Sequence, residues 1–136
     1  MERLPHWEPG TPGVLCTAGP HAIPVSTAVR AADDRLLFAL AASRETLARL
    51  REEPQVAYCL LGDGVAFTAY GEARVVAEQL ESVPVVPVEV RVESVQDHLM
   101  EGRTELLDGA RWRFSAHRDV EADAAIVAEL RRLARA

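Results

Sequence analysis

The run "VPVVPVEVRVESVQ", residues 83–96, limits most strongly what this chain can fold into. Val88, Val90 and Val92 alternate with Glu89, Arg91 and Glu93, a period of two. Such a strand carries one dry and one wet face, as in an antiparallel sheet packed on one side. Pro84 and Pro87 place its start at a sheet edge or a bulge, because proline donates no hydrogen bond to a ladder.

Other short β-prone runs surround it. "GVLCTAGPHAIPVSTAV" reads as two strands around the turn Gly19-Pro20-His21-Ala22. "RAADD" marks the next turn and "RLLFALA" a third strand. A helix over Arg44 to Glu53 follows, closed by Pro54, with Leu47 and Leu50 three apart and facing the core. "QVAYCLL" returns as a strand, Gly62-Asp63-Gly64 turns tightly, and "VAFTAYGEARVVA" is the longest strand of the set. "MEGRTELLDG" reads as irregular and "ARWRFSA" as a last short strand. From Val120 the pattern becomes a terminal helix with Ile126, Leu130 and Leu133 on one stripe. Together these predict a mainly β (α+β) fold, a small barrel of six or seven mostly antiparallel strands with an inserted and a terminal helix. One domain over 1–136 is expected, with 1–12 as a Pro/Gly-rich lead-in docked through His6 and Trp7, and 120–135 as the terminal helix.

Composition narrows function. The formal net charge of -6 argues against nucleic acid or anionic membrane as the main partner, since both are bound by concentrated positive charge. All 15 cations are arginine. The absence of lysine excludes Schiff-base chemistry on a lysine and the lysine-dependent phosphate loop. No apolar run is long enough to span a bilayer, and "MERLPHWEPGTPG" has no apolar block after its arginine, so a cytoplasmic location is expected. Cys16 and Cys59 sit in apolar strand-like runs and are expected as buried free thiols. His98, Asp97 and His117 match no ligand spacing, so no metal site is predicted. Ser26, His21 and Asp33 lack the Gly-x-Ser-x-Gly elbow of a hydrolase.

The junction "ASRET" carries more information. The first N–H groups of a helix have no intrahelical partner, and the dipole makes that end electropositive. Ser43 is a suitable N-cap. Arg44 in the first turn opposes the dipole, while Glu45 has the favourable four-residue spacing to Arg49. A bound phosphate would reverse the sign of the Arg44 problem, with Ser43, Thr46 and the free N–H groups as donors and Arg49 closing the same flank. A solvated Glu45–Arg49 pair is the competing reading.

The ordered set "GPHAIPVSTAV", "RLLFALAASRETLARLREEPQVAYCLL" and "VAFTAYGEARVV" resembles the FMN-binding split-barrel proteins related to pyridoxamine 5'-phosphate oxidase. The matching segment runs from Val14 to Val76, with weaker similarity through "VPVEVRVESVQDH" to Trp112. The resemblance implies a six-stranded antiparallel split barrel that forms a homodimer with flavin sites between subunits. It implies Val25, Ser26 and Thr27 along the isoalloxazine, Ala42, Ser43, Arg44, Thr46 and Arg49 at the phosphate, and Tyr70 and Trp112 on the cleft wall. Relatives often have lysine at the position of Thr46 and asparagine at that of Arg49. Many also insert a helix where this chain has only "AEQLES", which opens one side of the cleft or leaves it to the terminal helix. The implied function is an FMN-dependent oxidoreductase acting by hydride transfer at flavin N5 on a small organic substrate. The alternatives are a deazaflavin-dependent reductase on the same fold and a non-catalytic flavin- or haem-binding barrel.

Overall fold

The computed structural model describes residues 3–136. Seven antiparallel strands, β1 (Gly13–Thr17), β2 (His21–Val25), β3 (Val29–Ala32), β4 (Arg35–Ala41), β5 (Gln55–Gly62), β6 (Val65–Val75) and β7 (Val85–Asp97), form one sheet. Helix α1 (Glu45–Glu52) is inserted between β4 and β5, and α2 (His117–Arg135) ends the chain. The sheet order is β2-β1-β5-β6-β7-β4-β3. Consecutive strands β2 and β3 therefore sit at opposite edges. A flat seven-stranded sheet would hold its edges about 29 Å apart, whereas Val25 and Val29 are four Cα steps apart, at most about 14 Å. The sheet must curl until its edges approach, giving a barrel split between β2 and β3.

This resolves the strand count. The run "IPVSTAV" after the turn, expected as one strand, breaks at 26–28 because the chain leaves one edge and joins the other, and β2 begins two residues earlier, at His21. The barrel has seven strands, not six. Three boundaries also differ. Arg44, not Ser43, is the N-cap of α1, with no side-chain bond to the helix. Residues 111–116 form no strand, because they pair with none of the seven strands; the chain is held to the β5–β6 turn further back, where Gly64 N–H bonds to Leu106 C=O at 2.9 Å. Helix α2 begins at His117, three residues earlier than expected, with His117 paired to Glu121 at 3.1 Å.

The interior core holds Leu15, Phe38, Tyr58, Phe67 and Val88, with Leu47 and Leu50 of α1 packed among them. The docking expected of the lead-in is present through Trp7, whereas His6 is exposed. Trp7 lies 5.4 Å from Phe67, ring to ring, and its indole N–H donates to Ala28 C=O at 3.0 Å. Strand β4 is apolar without alternation because both of its faces are covered: Leu36, Phe38 and Leu40 face the interior, and Leu37 faces α2. Pro87 is tolerated in an inner strand for a local reason. Its C=O accepts from Val76 N–H at 3.1 Å, so its nitrogen points the same way, past the end of β6.

Two expectations about polarity and thiols change. Glu89 is not on a wet face; it is buried between Arg35 (2.9 Å) and Arg74 (3.0 Å) contributed by the two flanking strands. Burial pushes its carboxyl up, but the two guanidinium groups outweigh this and hold it below its usual value. Cys16 and Cys59 are free and only half-buried, since both point to the outward face of the sheet.

Helix α2 lies over the outer faces of β3 and β4 through Ile126 and Leu130, which meet Val29, Leu37 and Leu80. Its buried Glu129 accepts from Glu81 N–H (2.8 Å), Ser82 N–H (2.8 Å) and the Ser82 hydroxyl (2.6 Å). Burial pushes this carboxyl up as well, but Ser82, the two amides and Arg132 together leave it below the usual value of 4.5. A carboxyl lowered in the folded state stabilises above its unfolded value and loses that contribution as pH falls through the folded one. We expect Glu129→Ala to cost about 2 kcal/mol and to flatten the acid dependence below pH 4.5. Urea melts between pH 3 and 7 measure both, and an unchanged acid profile would remove Glu129 from this role.

Candidate functional site

A cavity of about 430 Å³ opens where β2 and β3 part. Its walls are Pro24 to Thr27 leaving β2, Ala39 to Ala41 at the end of β4, Arg44 at the start of α1, and the segment Trp112 to Phe114. Each wall has a local cause. Strand β2 ends where its last rung, Gly13 with Val25, is used up. Beyond it, Thr27 completes the free edge of β4. Its hydroxyl accepts from Ala39 N–H at 3.1 Å and donates to Ala39 C=O at 3.4 Å, replacing the rung that β3 would otherwise supply. Ser26 beside it has no hydrogen-bond partner among the described residues. Strand β4 then ends in a turn closed by Arg44 N–H on Ala41 C=O at 3.0 Å, which delivers Arg44 to the cavity.

The electrostatics of this wall oppose those of the whole chain. Against a net charge of -6, the lining contains Arg44 and Arg113 and no carboxylate. Glu45, the nearest acid to Arg44 in sequence, is taken by Arg49 at 3.3 Å. Neither Arg44 nor Arg113 has a side-chain hydrogen bond or ion pair among the described residues. The N-cap of α1 offers no side-chain acceptor to the free N–H groups. A cation at such a helix start costs some tenths of a kcal/mol, and an anion bound there would turn both features into attraction. A larger cavity, about 550 Å³, lies between the lead-in and residues 108–112, but Glu8, Asp63 and Asp108 in its wall suit it poorly to phosphate.

Of the residues singled out from sequence, Val25, Ser26, Thr27, Arg44 and Trp112 line the cavity together. The others do not. Thr46 is buried, its hydroxyl 3.0 Å from His21 Nε2, tying α1 to β2. Arg49 donates to Ala18 C=O at 3.2 Å and so holds the β1–β2 turn, where a Cβ on Gly19 would lie 2.9 Å from its guanidinium. Ala42 and Ser43 are exposed in the turn, outside the lining. Tyr70 is exposed on β6, opposite Ala57 and Ser94. Neither the terminal helix nor the "AEQLES" connection contributes to the cavity; Trp112 to Phe114 form its remaining wall. Sequence reasoning pointed to the segment around Trp112 without singling out Arg113 and Phe114, although "RWRF" carries the signal of cations interleaved with aromatics.

No protein-family model matches the sequence, and no curated protein matches it. Solved structures do match. HupZ from Group A Streptococcus superposes with a TM-score of 0.57 at 12% identity, over 74% of this chain and 90% of that one. The fold is the split barrel. A candidate pyridoxamine 5'-phosphate oxidase from Listeria innocua has this split barrel too, with a TM-score of 0.52 and 16% identity over 65% of this chain and 88% of its own. An F420 reductase gives 0.52 and 14% over 65% and 91%. At these identities the likeness is one of fold.

The Thr27 contact makes a prediction about the site's frame. Thr27→Val keeps the shape but orphans the Ala39 N–H, which should cost about 1–3 kcal/mol, whereas Thr27→Ser should keep most of the stability. Urea denaturation checks both; a valine variant as stable as the parent would show that the hydroxyl does not hold this edge.

Proposed function

We propose that this chain is a flavin-dependent oxidoreductase, with FMN in the cavity at the split and a small organic molecule as substrate. The observation that carries the reading is Arg44, unpaired at an uncapped helix start in the wall of a cavity free of carboxylates. Arg44 and the free N–H groups of α1 would hold the phosphate, with Ser43 beside them. Val25 and Leu40 would form an apolar bed, Ser26 would hydrogen-bond the ring edge, and Trp112 and Phe114 would keep water from the opposite side. Thr27, Thr46 and Arg49 serve as supports, since the two hydroxyls and the two terminal guanidinium nitrogens of Arg49 are engaged by protein. A bound flavin supplies the hydride chemistry at its N5 atom. The similarity to an F420 reductase favours a second reading in which a deazaflavin takes the same place.

Purified protein should be yellow and release FMN on denaturation. Arg44→Ala should weaken FMN binding at least about tenfold, and Arg51→Ala, at the far end of α1, should leave it unchanged. Equal affinities in a fluorescence titration would remove Arg44 from the phosphate site. A colourless protein that quenches deazaflavin fluorescence would favour the second reading.

A homodimer is part of the proposal. Two rows of side chains cross the outward face of the sheet without a charge: Pro24, Val14, Cys59, Thr68 and Gln96, then Ala22, Cys16, Ala57, Tyr70 and Ser94. Val14 and Tyr70 are both more than 40% exposed there, as expected of a face that a second copy covers. Ala57→Arg should convert a dimer to a folded monomer by light scattering, and a parent chain that is monomeric at micromolar concentration would refute the dimer. The half-buried free thiols fit a reducing compartment, for which we propose the cytoplasm. Among the described residues no helix is long and apolar enough to cross a membrane.

A further inference from the structure

The cavity at the split has two unpaired arginines, and one phosphate needs only one of them. Arg44 belongs to the sheet-and-helix frame. Arg113 comes from a separate element, the strap of residues 106–114 that runs over the β5–β6 turn to the cavity. This strap is fixed in place. Gly64 N–H holds Leu106 C=O, and Gly109 packs so closely on Leu61 that a Cβ would lie 2.0 Å from its carbonyl oxygen. The arginine two residues earlier, Arg111, has a carboxylate, Asp108, at 3.8 Å. Arg113 has none among the described residues, and it lines the cavity together with its chain neighbours Trp112 and Phe114, which are 50% and 41% exposed.

A cavity wall that offers an unpaired cation and two exposed aromatic side chains suits a flat organic anion, because a ring can stack on its body while the guanidinium pairs with its charge. We propose that Trp112, Arg113 and Phe114 form the substrate subsite, and that the substrate is an aromatic carboxylate or a comparably flat organic anion. This rests on the reading that Arg44 holds the cofactor phosphate, and it assigns Arg113 to specificity. The strap belongs to neither the sheet, nor the β2–β3 connection, nor α1. Its side chains can therefore be changed without altering the frame that positions the cofactor.

Calorimetric titration separates this proposal from the cofactor reading. FMN is titrated first into the parent chain, Arg44→Ala and Arg113→Ala. The FMN-saturated proteins are then titrated with 4-nitrobenzoate and with its neutral counterpart, 4-nitrobenzyl alcohol. Arg113→Ala should leave FMN affinity within about twofold and weaken 4-nitrobenzoate at least about tenfold, the worth of one charge-assisted hydrogen bond. The alcohol should bind both proteins equally and more weakly than the anion binds the parent. The proposal is overturned if Arg113→Ala leaves the anion's affinity unchanged, or if it weakens FMN as much as Arg44→Ala does, which would make Arg113 a cofactor residue. Should FMN not bind at all, the cofactor reading fails, and the same titration without FMN decides the subsite. Anion binding lost in Arg113→Ala supports it, and no anion binding by the parent chain overturns it.

Discussion

Three residues, Ser26 to Ala28, tie the two edges of a seven-stranded sheet together, and the rest of the structure follows from that short connection. No flat or gently twisted sheet satisfies it. The curl brings β2 and β3 close without pairing them, so a seam of unpaired edge remains. Exposed edges are normally blunted or covered, and here one step of the seam is closed by the Thr27 hydroxyl on Ala39. What stays open is the cavity. The site is thus a consequence of how the barrel fails to close, and its position needs no separate device.

Strand β4 fixes the other side. A strand covered on both faces reads as a continuous apolar run, whereas a half-covered one alternates. "RLLFALA" is the first kind because the interior core lies on one face and α2 on the other. This double packing makes β4 a rigid rail, and its last residues carry the turn that delivers Arg44 to the cavity. Glu89 on the adjacent β7 shows the limit of reading periodicity alone. Alternation marked it as a solvent-facing residue, but the partners that bury it, Arg35 and Arg74, come from strands 54 and 15 residues away in sequence. Local pattern states which face a side chain takes; it cannot state what another strand brings to that face.

The same distinction separates what was legible at the site from what was not. Arg44 could be picked out because its difficulty is local: a cation at a helix start whose neighbouring acid prefers Arg49, a pairing the structure shows. Thr46 and Arg49 looked equally suited to an anion, being on the same turn. Their actual partners, His21 and the Ala18 carbonyl, belong to the β1–β2 hairpin, which reaches α1 only once the barrel has curled. The break between β2 and β3 was hidden for a related reason. Ser26 to Ala28 have ordinary strand propensity, and only the topology requires them to bridge.

The charge of the chain sets how such a site can work. With a net charge of -6, an approaching anion gains nothing from the long-range field, and at physiological salt that field fades within about 8 Å. Recognition has to be short-range, from arginines that the ligand meets only inside the cavity. The neighbouring cavity, which shares Trp112, sets Glu8, Asp63 and Asp108 against one arginine, Arg111, which already has Asp108 at 3.8 Å, and so favours an anion less. One tryptophan therefore stands between a basic and an acidic hollow. An anion reaching this surface is sorted to the basic side by contacts made within a few ångströms, so selectivity here should be expressed in residence time more than in capture rate.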